Sequence, residues 1–497
     1  MTTQTAETHP AHAWKKSPFS WVLVGIAIFS LIIGFVFLQK TATTPQSAVP
    51  SKLAKMLKDG AETPQHKSRV PIEEVTSPGG LKAWLVNDSS VPVISIDFSF
   101  PGGMTLEDPA AAGLSNMMSI MLDEGAGPYD SQAFQKELAD HVISLSFSAG
   151  RDRFFGSVKT LKKYQDKAFA LTHLALTQPR FEEDALARMK RATMNSIRQN
   201  LGNPGWTTAR LFNGTIFAGH PYERPGQGNP ATVEKITAAD LKALAQQQFV
   251  REGLQISVAG DISAEELAAK LDDIFGGLQK GTPAEEKEPK SALNEKALGK
   301  TYVYHMEIPQ SIIQFAHQGI SPQDDDYMAA GVMNYILGGG GFASRLMTSL
   351  REEHGLTYGI YTQLSDSDAA SLLQGQFATT NDSAGKAVAL LKEEWARLAK
   401  DGPTEEELRL AKNYLIGSFP LALTSSDAIS GMLSGLQKNK RDIDYINRYA
   451  DMLRAVTKDD VKRVAERLLN ADDLSFVIVG KPEGIENAVT VTELPGM

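Results

Sequence analysis

The feature that most constrains this chain is that it repeats itself. DPAAAG at 108–113 returns as DYMAAG at 326–331, 218 residues later. ITAADL (236–241) returns as VTKDDV (456–461), and ISVAGD around Gly260 returns as FVIVGK around Gly480, both at an offset of 220. Between them, EEDALARMK (182–190) corresponds to EEELRLAK (405–412), which places Lys190 and Lys412 222 residues apart. Four matches in one order, at a nearly constant offset, require two copies of one unit of about two hundred residues.

Each copy mixes two periodicities. Ile94, Ile96, Phe98 and Phe100 alternate with Ser95, Asp97 and Ser99, and Ile143, Leu145 and Phe147 alternate with Ser144, Ser146 and Ser148. Both read as half-buried strands. Helical periods run through 164–176, 182–199 and 238–249. Strands of this kind with helices between them predict an α+β fold of two homologous lobes, each an antiparallel sheet covered by helices. The lobes are expected at 67–277 and 300–497. The polar stretch 276–299, GGLQKGTPAEEKEPKSALNEKALG, reads as an exposed connection, with the linker proper at 278–299.

The N-terminus carries a different signal. Residues 21–38, WVLVGIAIFSLIIGFVFL, contain no charge and are long enough to cross a bilayer core. Lys15 and Lys16 precede them, which directs the short N-terminus to the cytoplasm and the rest of the chain outside. No A-x-A cleavage site follows, so the reading is an uncleaved anchor within 1–40 and a polar tether at 41–66. The 497 residues include no cysteine. Thiolate chemistry and thiolate zinc sites are therefore excluded, and an oxidising compartment is suited. The net charge of −9 is spread along the chain, with no basic run interleaved with aromatics, so nucleic acid is not an expected partner.

Three segments carry a family resemblance: FPGGMTLEDPAAAGLSNMM (100–118), HPYERPGQG (220–228) and GGGGFASRLMTSLREEHGLTYG (338–359). They resemble the insulinase/pitrilysin zinc peptidases, in particular the branch of the mitochondrial processing peptidase and short paired bacterial homologues. The likeness runs from about residue 70 to about residue 484. It implies a processing-peptidase-like clamshell around unfolded peptides. With the apolar span 21–38 and its Lys15/Lys16 flank, the expectation is a bacterial inner-membrane protein, single-pass, with its bulk in the periplasm.

The family's zinc motif is H-x-x-E-H, two imidazoles on one helix face with a glutamate that activates water. Carried over from the glycine at 113, its positions fall on Asn116, Ser119 and Ile120, and the later glutamate ligand falls near Asn195 and Ser196. None of these residue types can bind zinc or act as base. No histidine lies between His66 and His141, and no acid between Ala185 and Tyr222, so a shift of register restores nothing. This chain is therefore expected to hold no metal or other cofactor, with zinc in a partner subunit bearing H-x-x-E-H. Leu114, Met117, Met121 and Leu122 read as packing positions.

The family's second element survives. An R-x6-Y pair, which in active members faces the zinc and holds substrate and oxyanion, matches Arg351 and Tyr358. The resemblance implies a zinc-less subunit that supplies this pair in trans to a heterodimeric peptidase and is inactive alone. The alternative is an inactive peptide-binding or assembly scaffold in the periplasm. The glycine run 338–341 lacks the G-K-[ST] of a phosphate loop and reads as a turn allowing close backbone approach. His220 reads as a turn residue and His354 as a solvated helix-end residue. His9, His12 and His66 fall in tail or tether.

Overall fold

A computed structural model of the chain describes residues 69–282 and 291–496. The expected anchor and tether, with His9, His12 and His66, lie outside the described residues. Among the described residues no helix is long and apolar enough to cross a membrane.

Two six-stranded sheets organise the fold. The first contains β1 (Glu73–Thr76), β2 (Lys82–Asn87), β3 (Val93–Pro101), β4 (Ser144–Ala149), β5 (Arg153–Leu161) and β6 (Gln255–Gly260), in the order β1-β2-β6-β3-β5-β4. The second contains β7 (Thr301–His305), β8 (Gln310–Gln318), β9 (Ile360–Ser367), β10 (Ala370–Thr380), β11 (Ser475–Gly480) and β12 (Val489–Val491), in the order β12-β7-β11-β8-β10-β9. Strands β2 to β6 thus correspond to β7, β8, β9, β10 and β11. The outermost places differ: β1 runs antiparallel to β2, whereas β12 comes from the far end of the chain and runs parallel to β7. The sheets are not purely antiparallel as expected, because β2–β6 and β7–β11 also run parallel. The helical middle of each unit separates those strands, and so long a connection can return the chain in the same direction, which a hairpin cannot.

One face of each sheet is covered by helices of its own half. Met117 and Met121 from helix Leu114–Met121, Phe169 from Gln165–Thr177 and Leu271 from Ala264–Phe275 join Ile94, Ile96 and Phe98 in the first core. Leu391 and Trp395 from Ala384–Asp401, with Val461 from Lys458–Leu468, join Ile313, Phe315 and Phe476 in the second.

The other face is covered by the opposite half. Helix Ser426–Lys438 lays Ile429, Leu433 and Leu436 against Val86 and Ala259 of the first sheet. Helix Pro204–Ile216 lays Leu211, Phe212 and Ile216 against Ala316, Leu372, Val477 and Val479 of the second. The exchange is reciprocal, since these helices stand 222 residues apart. It also corrects the reading of β3 as half-buried. Ser95 and Ser99 are buried as fully as the apolar residues they alternate with. Ser430 Oγ donates to Asp97 Oδ2 at 2.5 Å, and Arg153 Nε donates to Ser99 Oγ at 2.9 Å. Gln437 adds a bond from Ser257 Oγ (3.1 Å) and one to the Ile256 carbonyl (3.2 Å). Asp97 is thus matched to the covering helix and Ser99 to Arg153 of β5, while the buried Ser95 hydroxyl has no partner among the described residues.

The connection expected to be exposed is not exposed at its second end. Residues 283–290 lie outside the described residues, but Ala292 and Ala297 are buried in the cluster beneath helix Pro204–Ile216. The Asn294 amide and backbone N–H donate to the carbonyls of Thr215 and Ile216. Short alanine side chains let that backbone lie close against the helix, and its polar groups are satisfied there. The described residues belong to one compact unit, His66–Met497.

Candidate functional site

The helix expected to carry the degenerate zinc motif, Leu114–Met121, starts at Gly113, whose φ of 96° is left-handed. A Cβ at Gly113 would lie 2.7 Å from the Gln227 carbonyl oxygen, so both conformation and space demand glycine. The buried Glu107 carboxylate caps the helix, accepting from Gly113 N (2.9 Å) and Ser115 N (2.6 Å). Burial pushes that carboxyl above the usual range, while its backbone donors pull the other way. Arg224 donates to the Glu107 carbonyl. The motif 220–228 is therefore a buttress for this helix. Within it, His220 is buried and accepts from Tyr222 N through Nδ1 at 3.2 Å, as a turn residue would.

The four degenerate positions are absorbed into structure. Ser119 Oγ donates to the Asn116 carbonyl at 2.8 Å, and Ile120 packs against the first core. Leu114, Met117, Met121 and Leu122 pack there as expected. Ser196 lies on helix Glu183–Asn200, which packs against helix Leu114–Met121, and its carbonyl accepts from Asn200 Nδ2 at 2.9 Å. The two helices that would frame a zinc site are thus side by side, without ligands to hold one. Among the described residues, no group of three His, Asp or Glu side chains could hold a metal ion.

Arg351 and Tyr358 lie in the second half. After helix Tyr327–Asn334 the chain continues through a π-helical turn, Tyr335–Gly339, and a 3₁₀ turn, Gly341–Ala343. A second π-helical turn, Met347–Glu353, carries Arg351. Such turns are rare and recur at functional sites. Of the glycine run, Gly338 is needed for close approach, since a Cβ there would meet Thr362 of β9 at 2.5 Å, and Gly341 for its φ of 56°. Met347 and Leu350 bury one side of the second π-turn in the core. The opposite side is open. Tyr358 is 87% exposed and Phe342 63% exposed. The Arg351 guanidinium lies over the Phe342 ring, 4.3 Å from its centroid. Arg351 forms no ion pair with Glu352, Glu353 or any other acid among the described residues, although Arg345 close by is forked on Glu407. Exposed His354 turns its Nδ1 to the Ser349 carbonyl at 2.9 Å.

The two elements belong to different layers. The degenerate helix packs on β4 and the helices beginning at Glu183 and Ala238, whereas the Arg351 turn packs on β9 and helix Ala384–Asp401. Sequence reasoning missed Phe342, whose only signal was its place directly after the glycine run.

Comparison with known proteins gives a consistent picture. Residues 235–415 match the family described as the peptidase M16 inactive domain, M16 being the insulinase/pitrilysin peptidases. The chain is 27% identical over 413 residues to the non-peptidase homolog YmxG of Helicobacter pylori, covering 79% of this chain and 93% of that one. It is 24% identical over 428 residues to an uncharacterized zinc protease of Mycobacterium leprae, covering 83% and 93%. The crystal structure of a peptidase M16 inactive domain from Pseudomonas fluorescens superposes with a TM-score of 0.75 at 27% identity, covering 86% of this chain and 99% of that chain.

Proposed function

As this chain carries the inactive domain of the M16 peptidases, we propose that it is the zinc-less subunit of a heteromeric peptidase and completes a partner's active site in trans. The partner supplies H-x-x-E-H and zinc; this chain supplies Arg351 and Tyr358 to unfolded peptide substrates. The observation that carries the reading is the state of this pair. An arginine and a tyrosine kept for packing would be buried or ion-paired, yet Tyr358 is 87% exposed and Arg351 has no carboxylate partner among the described residues. A free guanidinium can fork onto a peptide carbonyl or carboxylate, and a free phenol can donate to the oxyanion of a tetrahedral intermediate.

The reading extends to placement. Residues 21–38 serve as a single-pass anchor in a bacterial inner membrane and 41–66 as a tether, with lobes 67–277 and 300–497 in the periplasm. The uncharged span and the Lys15/Lys16 flank support this.

The test is extraction of the full chain from native membranes in mild detergent. A second chain bearing H-x-x-E-H should co-purify, and the pair should hold about one zinc per heterodimer and cleave an unstructured peptide. This chain alone should do neither. Recovery without such a partner, from membranes whose peptidase activity survives deletion of this chain, would refute the reading.

A further inference from the structure

Arg351 is held differently from most arginines around it. Arg345, Arg397, Arg409, Arg463 and Arg467 each grip a carboxylate, which occupies part of their donor set. Arg351 instead rests on the ring of Phe342. Stacking engages the flat face of a guanidinium and leaves the N–H groups around its edge free, whereas an ion pair consumes them. The ring is itself placed with some cost. Phe342 is 63% exposed, where a large apolar side chain gains little from burial. It follows Gly341, whose left-handed φ of 56°, with open space around it, turns the chain outward at this point. The π-turn carrying Arg351 is fixed from below by Met347 and Leu350. The cation therefore has a rigid base and an aromatic plate beside it.

We infer that Phe342 is a positioning residue: it holds the Arg351 guanidinium in one orientation, with its donors free to fork onto a peptide substrate. This rests on the proposed role of Arg351 and adds the residue that makes it effective.

The experiment is a double-mutant cycle in the reconstituted pair, with an unstructured fluorogenic peptide. Phe342→Leu keeps apolar bulk and removes the π face; Phe342→Trp keeps the face. Phe342→Leu should lower kcat/KM about two- to thirty-fold, the range expected for one cation–π contact, and Phe342→Trp should restore it. In an Arg351→Ala background Phe342→Leu should cost nothing further. An equal cost in that background would mean that Phe342 acts on its own, and would overturn the inference. A second readout needs neither partner nor turnover. On the full chain alone, phenylglyoxal should modify Arg351 faster in Phe342→Leu than in wild type or Phe342→Trp, as followed by peptide mapping. Equal rates would overturn the positioning role. If Arg351→Ala leaves turnover unchanged while the labelling rates differ as expected, the proposed function falls and the positioning contact stands.

Discussion

Phe98 in the first sheet lies over Gly156 of the neighbouring strand, and Phe315 in the second lies over Gly375 in the same way. A Cβ at either glycine would run into the ring. The frameworks of the two halves thus agree down to single contacts, while their functional ends do not. In the first half Ser119 bonds to its own helix, on the Asn116 carbonyl, and Ile120 packs on the core. In the second half, the corresponding stretch and the turns after it pass through π-helical and 3₁₀ segments, with Phe342 and Tyr358 exposed and Arg351 half-buried against Phe342. On the proposed reading a zinc site is lost without loss of fold, since Ile120 packs on the core and Ser119 bonds within its own helix. The reciprocal helices add that the halves, though alike, depend on each other for burial and are expected to unfold together. Each keeps the other's sheet dry.

That dependence gives the largest expected effect. Leu211 and Leu433 occupy equivalent places on the exchanged helices, and both are fully buried against the other half's sheet. Either Leu→Ala change should cost about 2–5 kcal/mol. Each should lower a single thermal transition of the whole unit, followed by calorimetry. Two transitions, of which each substitution moves only one, would show that the halves fold independently and break the comparison.

The next effect is kinetic and belongs to the second half alone. On the proposed role, Tyr358→Phe removes one oxyanion donor from an exposed ring. In the reconstituted pair it should cost about 2.7–4 kcal/mol of transition-state stabilisation, or roughly 10²–10³ in kcat, with partner affinity little changed. Turnover at the wild-type rate would assign Tyr358 to the surface and favour the scaffold reading. The thermal transition should not move, since the ring is 87% exposed.

Some of this was legible in the sequence and some was not, for physical reasons. The repeat foretold two like sheets because a recurring pattern of apolar positions must bury a recurring core. Residues 94–100 gave β3 through their alternation, and the expected absence of a metal ligand at Asn116, Ser119 and Ile120 rested on zinc chemistry, which tolerates few substitutes. The exchange of helices was not legible. Helix Pro204–Ile216 was not among the helical periods read from the sequence, and even its buried face at Leu211, Phe212 and Ile216 would name no partner. For the same reason Ser95, Asp97 and Ser99 read as a water-facing row, when the partners of Asp97 and Ser99, Ser430 and Arg153, lie 333 and 54 residues away. Phe342 was invisible because a lone aromatic in a turn has no period at all.

The smallest expected effect is a difference in acid response, and it sets the halves against each other. His317 in β8 stands where β3 has Phe100, two residues beyond the paired phenylalanines. It is buried, accepts from Trp395 Nε1 at 3.0 Å, and donates through Nδ1 to the Gln318 carbonyl at 2.6 Å. Both ring nitrogens are in use by the neutral form, and burial pushes the pKa down from its ordinary 6.5. As the pH falls below 6.5 the unfolded chain takes up this proton before the folded one does, so stability is lost. Asp123, at the end of the degenerate zinc helix, behaves in the opposite sense. Burial, and then Glu124 beside it, raise its carboxyl from 3.8 to about 6. The folded chain takes up that proton first, so stability is gained as the pH falls through about 6 and lost as it rises again. Between about pH 4 and 6.5 the two contributions oppose each other. His317→Gln, which keeps an acceptor for Trp395, should flatten the fall of Tm on acidification; Asp123→Asn should steepen it. Melting curves from pH 4 to 7.5 would decide. An unchanged slope in His317→Gln would mean that the acid sensitivity of the second half lies elsewhere.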